Sequence, residues 1–82
     1  MPIYDPLRQR LLSVGENSLV LSFEDIEAVI GQALPKSAHD YDAWWSNEDP
    51  ETTTHTQSKA WTTAGFDAEV NRGRRQVTFR RR

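Results

Sequence analysis

An α+β domain, with helices first and a two-stranded hairpin last, is predicted by three features of this sequence. Apolar residues recur at helical spacing in its first half, at Leu7, Leu11 and Leu12 and again at Phe23, Ile26, Val29 and Ile30. Near the end, Phe66, Ala68 and Val70 alternate with polar residues, Asn71-Arg72-Gly73-Arg74 supplies turn chemistry, and Val77 and Phe79 resume the alternation. The third feature is size: 82 residues without a cysteine leave room for one modest core and no disulfide or thiolate metal site. Residues 1–82 therefore form a single domain, with an acidic loop at 46–54 and a basic tail at 80–82.

The first helix is expected to start at Asp5-Pro6, an N-cap acid followed by proline at the first helical position, and to end by Gly15. Ser18 to Leu21 is apolar and bounded by Gly-Glu-Asn and Ser22, which marks a short strand. The Ser22 hydroxyl can cap the next helix, Glu24 and Asp25 suit its positive end, and Gly31 stops it. After the Leu34-Pro35 turn, Ala38 to Trp45 is expected to be a third helix with Tyr41, Trp44 and Trp45 on one side. Helical spacing returns after Thr54 or Thr56, either of which can cap, and Gly65 sits where a left-handed C-terminal residue is expected.

Helix, short strand, helices, hairpin is the order of a compact winged helix-turn-helix-like domain. In that plan the first strand joins the hairpin to make a small three-stranded antiparallel sheet with the helices on its inner face. The last helix before the hairpin, near residues 56–64, would read the major groove of double-stranded DNA, and the turn from Asn71 to Arg75 would be the wing.

Charge fits this plan. Residues 1–71 hold four basic and all twelve acidic residues, whereas residues 72–82 hold six arginines and no acid. The formal net charge of -2 hides that division. Gln57 and Lys59 are suited to base edges, Thr62 or Thr63 to phosphate or a thymine methyl, and His55, Thr56 and Ser58 flank them. Arg72, Arg74 and Arg75 on the wing, with Arg80 beyond it, would hold phosphate or enter the minor groove. The plain alternative is that Gln, Lys and Thr merely face solvent and that the arginines protect a sheet edge. Glu48, Asp49 and Glu51, just before the reading helix, count against DNA if they face it.

Tyr4-Asp5-Pro6-Leu7, Leu21-Ser22-Phe23-Glu24-Asp25-Ile26-Glu27, Leu34-Pro35-Lys36-Ser37-Ala38, Tyr41, Ala43-Trp44-Trp45-Ser46-Asn47 and the stretch from His55 to Gly65 around Gln57, Ala60 and Trp61 carry a resemblance. Over residues 4 to 79 the chain resembles a small domain of unknown function found in bacteria and archaea. The pairing of Trp-Trp-x-Asn with Gln-x-x-Ala-Trp is its most distinctive part. The resemblance implies a compact helical domain with a terminal hairpin, alone or attached to larger proteins, and supplies neither reaction nor ligand. That family commonly has Ser before the Gln, where Thr56 here keeps the hydroxyl.

Trp44 and Trp61 are assigned to the core, while Trp45, at the end of its helix, suits the core and a partner surface equally. A second function, a protein-interaction adaptor, would use the acidic and aromatic face 40–51, with Trp45 and Asn47 as partner-binding residues; Asn47 also suits a loop-locking role. Ile3, Tyr4 and Leu7 exceed what a small core needs and would serve a homodimer. His39 and His55 lie sixteen positions apart with no close-spaced ligand pair, so no metal and no cofactor is expected. Ser37, Ser46 and Ser58 lack a nucleophile motif and the glycines lack phosphate-loop spacing, so no enzyme is expected. No apolar run reaches the roughly 18 residues of a membrane span, and the polar N-terminus is unlike a secretory signal, which makes a cytoplasmic location the expectation.

Overall fold

The computed structural model describes residues 3–82, so Met1 and Pro2 of the expected domain lie outside the described residues. In chain order the elements are α1 Asp5–Leu12, β1 Ser18–Ser22, α2 Phe23–Ile30, α3 Lys36–Asp40, a 3-10 helix Asp42–Trp45, α4 Thr56–Thr63, β2 Phe66–Asn71 and β3 Gln76–Arg81. The sheet order is β1-β3-β2, antiparallel throughout, with Leu19 beside Phe79 and Ala68 on its other side. The α+β class and the three-stranded sheet are thus as the sequence predicts.

Local chemistry explains most boundaries. Ser22 and Asp25 close a full capping box, Asp25 N–H to Ser22 Oγ at 2.9 Å and Ser22 N–H to Asp25 Oδ2 at 3.0 Å. Gly31 (φ 78) and Gly65 (φ 88) take the left-handed turns that end α2 and α4. Three expected helix starts differ, one of them that of α3, which begins at Lys36 with Pro35 as its N-cap rather than at Ala38. Tyr4, not Asp5, is the N-cap of α1, which stops at Leu12 with Ser13 as its C-cap. His55 is the N-cap of α4, and neither Thr54 nor Thr56 caps it; instead His55 N–H donates to Thr53 Oγ1 at 3.0 Å.

The expected third helix is two pieces. Tyr41 is extended (φ -134, ψ 126) between α3 and the 3-10 helix, and it faces solvent rather than sharing an apolar side with the tryptophans. The break lets Trp45 turn inward, where its Nε1–H donates to Ala38 O at 2.9 Å and caps the end of α3. Trp45 then stacks between Phe23 (centroids 5.3 Å apart) and Trp61 (5.7 Å), while Trp44 stands edge-on to it and remains half-buried. Trp45 is therefore core, and Trp44 is its rim.

Leu7, Leu11, Ile26, Phe66, Val77 and Phe79 complete the core between helices and sheet. Leu12, expected on the same face as Leu7 and Leu11, is half exposed. Tyr4 and Leu7, expected to extend beyond the core toward a second copy, are buried within it, and burial raises the Tyr4 phenol pKa above its usual value. Among the described residues no helix is long and apolar enough to cross a membrane.

Candidate nucleic-acid interface

At about 100° per residue, α4 gathers Thr56, Lys59 and Thr63 onto one narrow arc, and these are its exposed side chains. His55 is exposed beside them. The rest of the helix is engaged. Ser58 is fully buried, its Oγ accepting from Glu48 N–H at 3.0 Å, and Thr62 is buried with its hydroxyl donating to Ser58 O at 2.8 Å. Both leave the DNA-facing set expected from sequence, because each hydroxyl has an internal partner that burial makes costly to release. Gln57 is half-buried and its Nε2 reaches back to Trp44 O at 3.4 Å. Of the two threonines offered for phosphate or a thymine methyl it is Thr63 that joins the open stripe, and Arg8 Nε on α1 donates to its hydroxyl at 3.2 Å.

The turn expected to be a wing is a four-residue loop, Arg72 to Arg75, because Asn71 is the last residue of β2. Asn71 Oδ1 accepts from Arg74 N–H at 3.1 Å, and Arg75 N–H donates to Arg72 O at 3.2 Å. The left-handed residue is Arg75 (φ 53), not Gly73, and the Arg75 carbonyl accepts from Phe23 N–H at 2.8 Å. The loop's base is thereby fixed to the start of α2.

Six unpaired arginines are not what the hairpin presents. Arg80 Nε donates to Glu69 at 2.9 Å and Arg82 Nε to Asp67 at 2.7 Å, both acids lying on the neighbouring strand. Arg81 stacks its guanidinium 4.7 Å above the Phe66 ring and donates to the Val14 and Glu16 carbonyls. Arg80, expected to face DNA, is thus paired across the hairpin, in a setting at least as exposed as that of Arg72. Arg72 bonds to Asp42 Oδ1 at 2.5 Å and to His39 O at 3.4 Å, in an exposed setting where such a pair exchanges readily. Among the described residues neither Arg74 nor Arg75 has a carboxylate within 4.0 Å.

A short bridge links helix and wing. The 3-10 helix meets α4 at its last turn, where Trp44 O takes Gln57, and meets the wing at its first residue, where Asp42 takes Arg72. Four residues of 3-10 helix rise only about 8 Å, so the two elements sit close to one another. Between the 3-10 helix and the hairpin opens a concavity of about 790 Å³, lined by His39, Asp42, Asn71, Arg72, Arg74 and Gln76 among others.

Asn47 and Trp45, the expected partner-binding residues, serve the fold. Asn47 Oδ1 accepts from Trp61 Nε1–H (2.9 Å) and Ala68 N–H (2.6 Å), while its Nδ2 donates to Ala68 O (2.9 Å). Its carboxamide thus pairs with the outer edge of β2 as a neighbouring strand would. The acidic loop is equally structured: Asp49 accepts from its own turn, and Glu48 bonds to Thr53 Oγ1 and to His55 Nδ1 at 2.7 Å. The His55 bond lowers the Glu48 pKa first, the Thr53 bond adds to it, and partial desolvation opposes both.

The model of one family, Domain of unknown function (DUF7662), matches residues 4–82. No curated protein and no solved structure matches the chain.

Proposed function

Because the chain belongs to that DUF7662 family, whose description carries no activity, we propose from the interface geometry that it binds double-stranded DNA in the manner of a winged helix, with a regulatory rather than catalytic role. Arg72, Arg74 and Arg75 hold phosphate or the minor groove, and Thr56, Lys59 and Thr63, with His55, lie along the major groove. The observation that carries the reading is the wing itself: two arginines without an acid partner among the described residues, beside a third whose carboxylate partner is the exposed Asp42. With Ser58, Thr62 and Gln57 turned inward, phosphate contacts dominate and base readout falls mainly to Lys59 and Thr56. Binding is therefore strongly salt-dependent and weakly sequence-selective.

Fluorescence anisotropy with a labelled duplex across a salt series tests this. The logarithm of affinity should fall linearly with that of salt, and Arg72→Ala, Arg74→Ala and Arg75→Ala together should flatten the slope by about one unit for each phosphate that is no longer neutralised. Absence of duplex binding at low salt defeats the proposal.

A second reading, an adaptor face over residues 40–51, is favoured by one observation: Tyr41 is 63% exposed between Asp40 and Asp42. Tyr41 replaces Trp45 and Asn47 as its anchor. Tyr41→Ser would remove a protein partner and leave duplex affinity unchanged.

A further inference from the structure

The two edges of the sheet are finished differently. On β2 the outward backbone groups of Ala68 are taken by Asn47, and the 3-10 helix lies alongside. On β1 nothing equivalent exists among the described residues. Asn17 O accepts from Arg81 N–H and Phe23 N–H donates to Arg75 O, so residues 17, 19, 21 and 23 point their backbone groups at β3. The alternation of an antiparallel ladder then turns those of Ser18, Val20 and Ser22 to the open side. Ser22 N–H is already bonded to Asp25, and Ser22 leads into α2. Ser18 and Val20 remain, each with a free N–H and C=O, and the Val20 side chain is 54% exposed on the outer face.

From this we infer that β1 pairs antiparallel with β1 of a second copy of this chain, forming a continuous six-stranded sheet across a two-fold axis at Leu19. Self-complementarity selects that occupant. Setting Ser18 of one copy opposite Val20 of the other satisfies every free donor and acceptor on both strands, because the same two residues face each other in reverse order. The register leaves both Ser22 capping boxes intact. It places Leu19 against Leu19 on the inner face, adding to the cover of a side chain now only half-buried. Glu16 falls opposite Ser22, whereas pairing Val20 with Val20 would set Glu16 against Glu24 and require the Ser22 N–H that Asp25 holds. Ser-Leu-Val-Leu-Ser carries none of the charges or prolines that protect an exposed edge, which is consistent with an edge that is covered.

Sedimentation velocity over a wide concentration range, together with amide exchange, decides the matter. The intact chain should approach twice the monomer mass as concentration rises, with the Ser18 and Val20 amides becoming protected in step and the Leu19 and Leu21 amides protected at every concentration. Val20→Lys, at an exposed position, and Ser18→Pro, which removes an N–H with no partner among the described residues, should each hold the protein at monomer mass while leaving Tm nearly unchanged. A monomer at all concentrations overturns the inference. So does a dimer that survives both variants, or protection of Ser18 and Val20 that appears only when an extended peptide is added.

Discussion

Arg72 donates from Nε to Asp42 Oδ1 at 2.5 Å, joining the base of the basic wing to the first residue of the 3-10 helix across 30 positions of sequence. An acid in that place neutralises the same guanidinium that a phosphate would use. Asp42→Asn should therefore strengthen duplex binding, by up to about fivefold, since exposed ion pairs are worth at most about 1 kcal/mol. Anisotropy titration measures this; weaker binding in the variant would show that Asp42 orients Arg72 rather than competing for it.

Asn47→Ala removes an acceptor for Trp61 Nε1–H and for Ala68 N–H, and a donor to Ala68 O. Three bonds in a partly buried setting make this a loss of about 3 kcal/mol, read as a lower urea midpoint with an unchanged slope. Asn47→Asp keeps the accepting oxygen and loses the donor, so it should fall between the two.

Arg75 couples charge to an unfavourable backbone, φ 53 on a side-chain-bearing residue. Arg75→Gly relieves a steric cost of about 1 kcal/mol and adds unfolded-chain entropy of similar size, so stability should stay within about 1 kcal/mol of the parent. Duplex affinity should nonetheless drop as it does for Arg74→Ala. Equal thermal midpoints with unequal affinities would separate the two roles of the position.

Hydrogen bonding from His55 holds the Glu48 pKa below its usual value. A carboxyl whose folded pKa is depressed contributes stability above its unfolded pKa and loses it as pH falls through the folded value. Glu48→Gln should thus lower stability at neutral pH and change it little in acid below the folded value, which flattens the profile below about pH 4.5. His55→Ala removes the largest lowering influence, and carboxyl titration by NMR should show the Glu48 pKa rising toward normal.

Elements governed by neighbouring residues were legible in the sequence: the Ser22 cap, the stops at Gly31 and Gly65, and the hairpin with its turn after Asn71. The break at Tyr41 was not, because it follows from Trp45 seating itself between Phe23 and Trp61, which are remote in sequence. Asn47 reaching Ala68, 21 positions away, is of the same kind. The arginine partners lay nearer to hand. Once the turn is placed at 72–75, antiparallel pairing sets Asp67 opposite Arg80 and Glu69 one step along the same face, so much of the tail's charge is answered by its own hairpin. Ser58 also carried a signal, three residues before Trp61 on the helix face turned to the core.

β3 is flanked by β1 and β2, and those two strands do not pair with each other. The strand that unites the sheet is thus the last of the three to leave the ribosome. Helices α1 and α2 can dock while synthesis continues, yet β1 emerges with its ladder groups unmet and waits more than 50 residues for its partner. A chain cut short within the hairpin would retain most of its apolar residues and none of its sheet. Such a fragment should be cleared by proteases or held by chaperones rather than persist as a partly working domain.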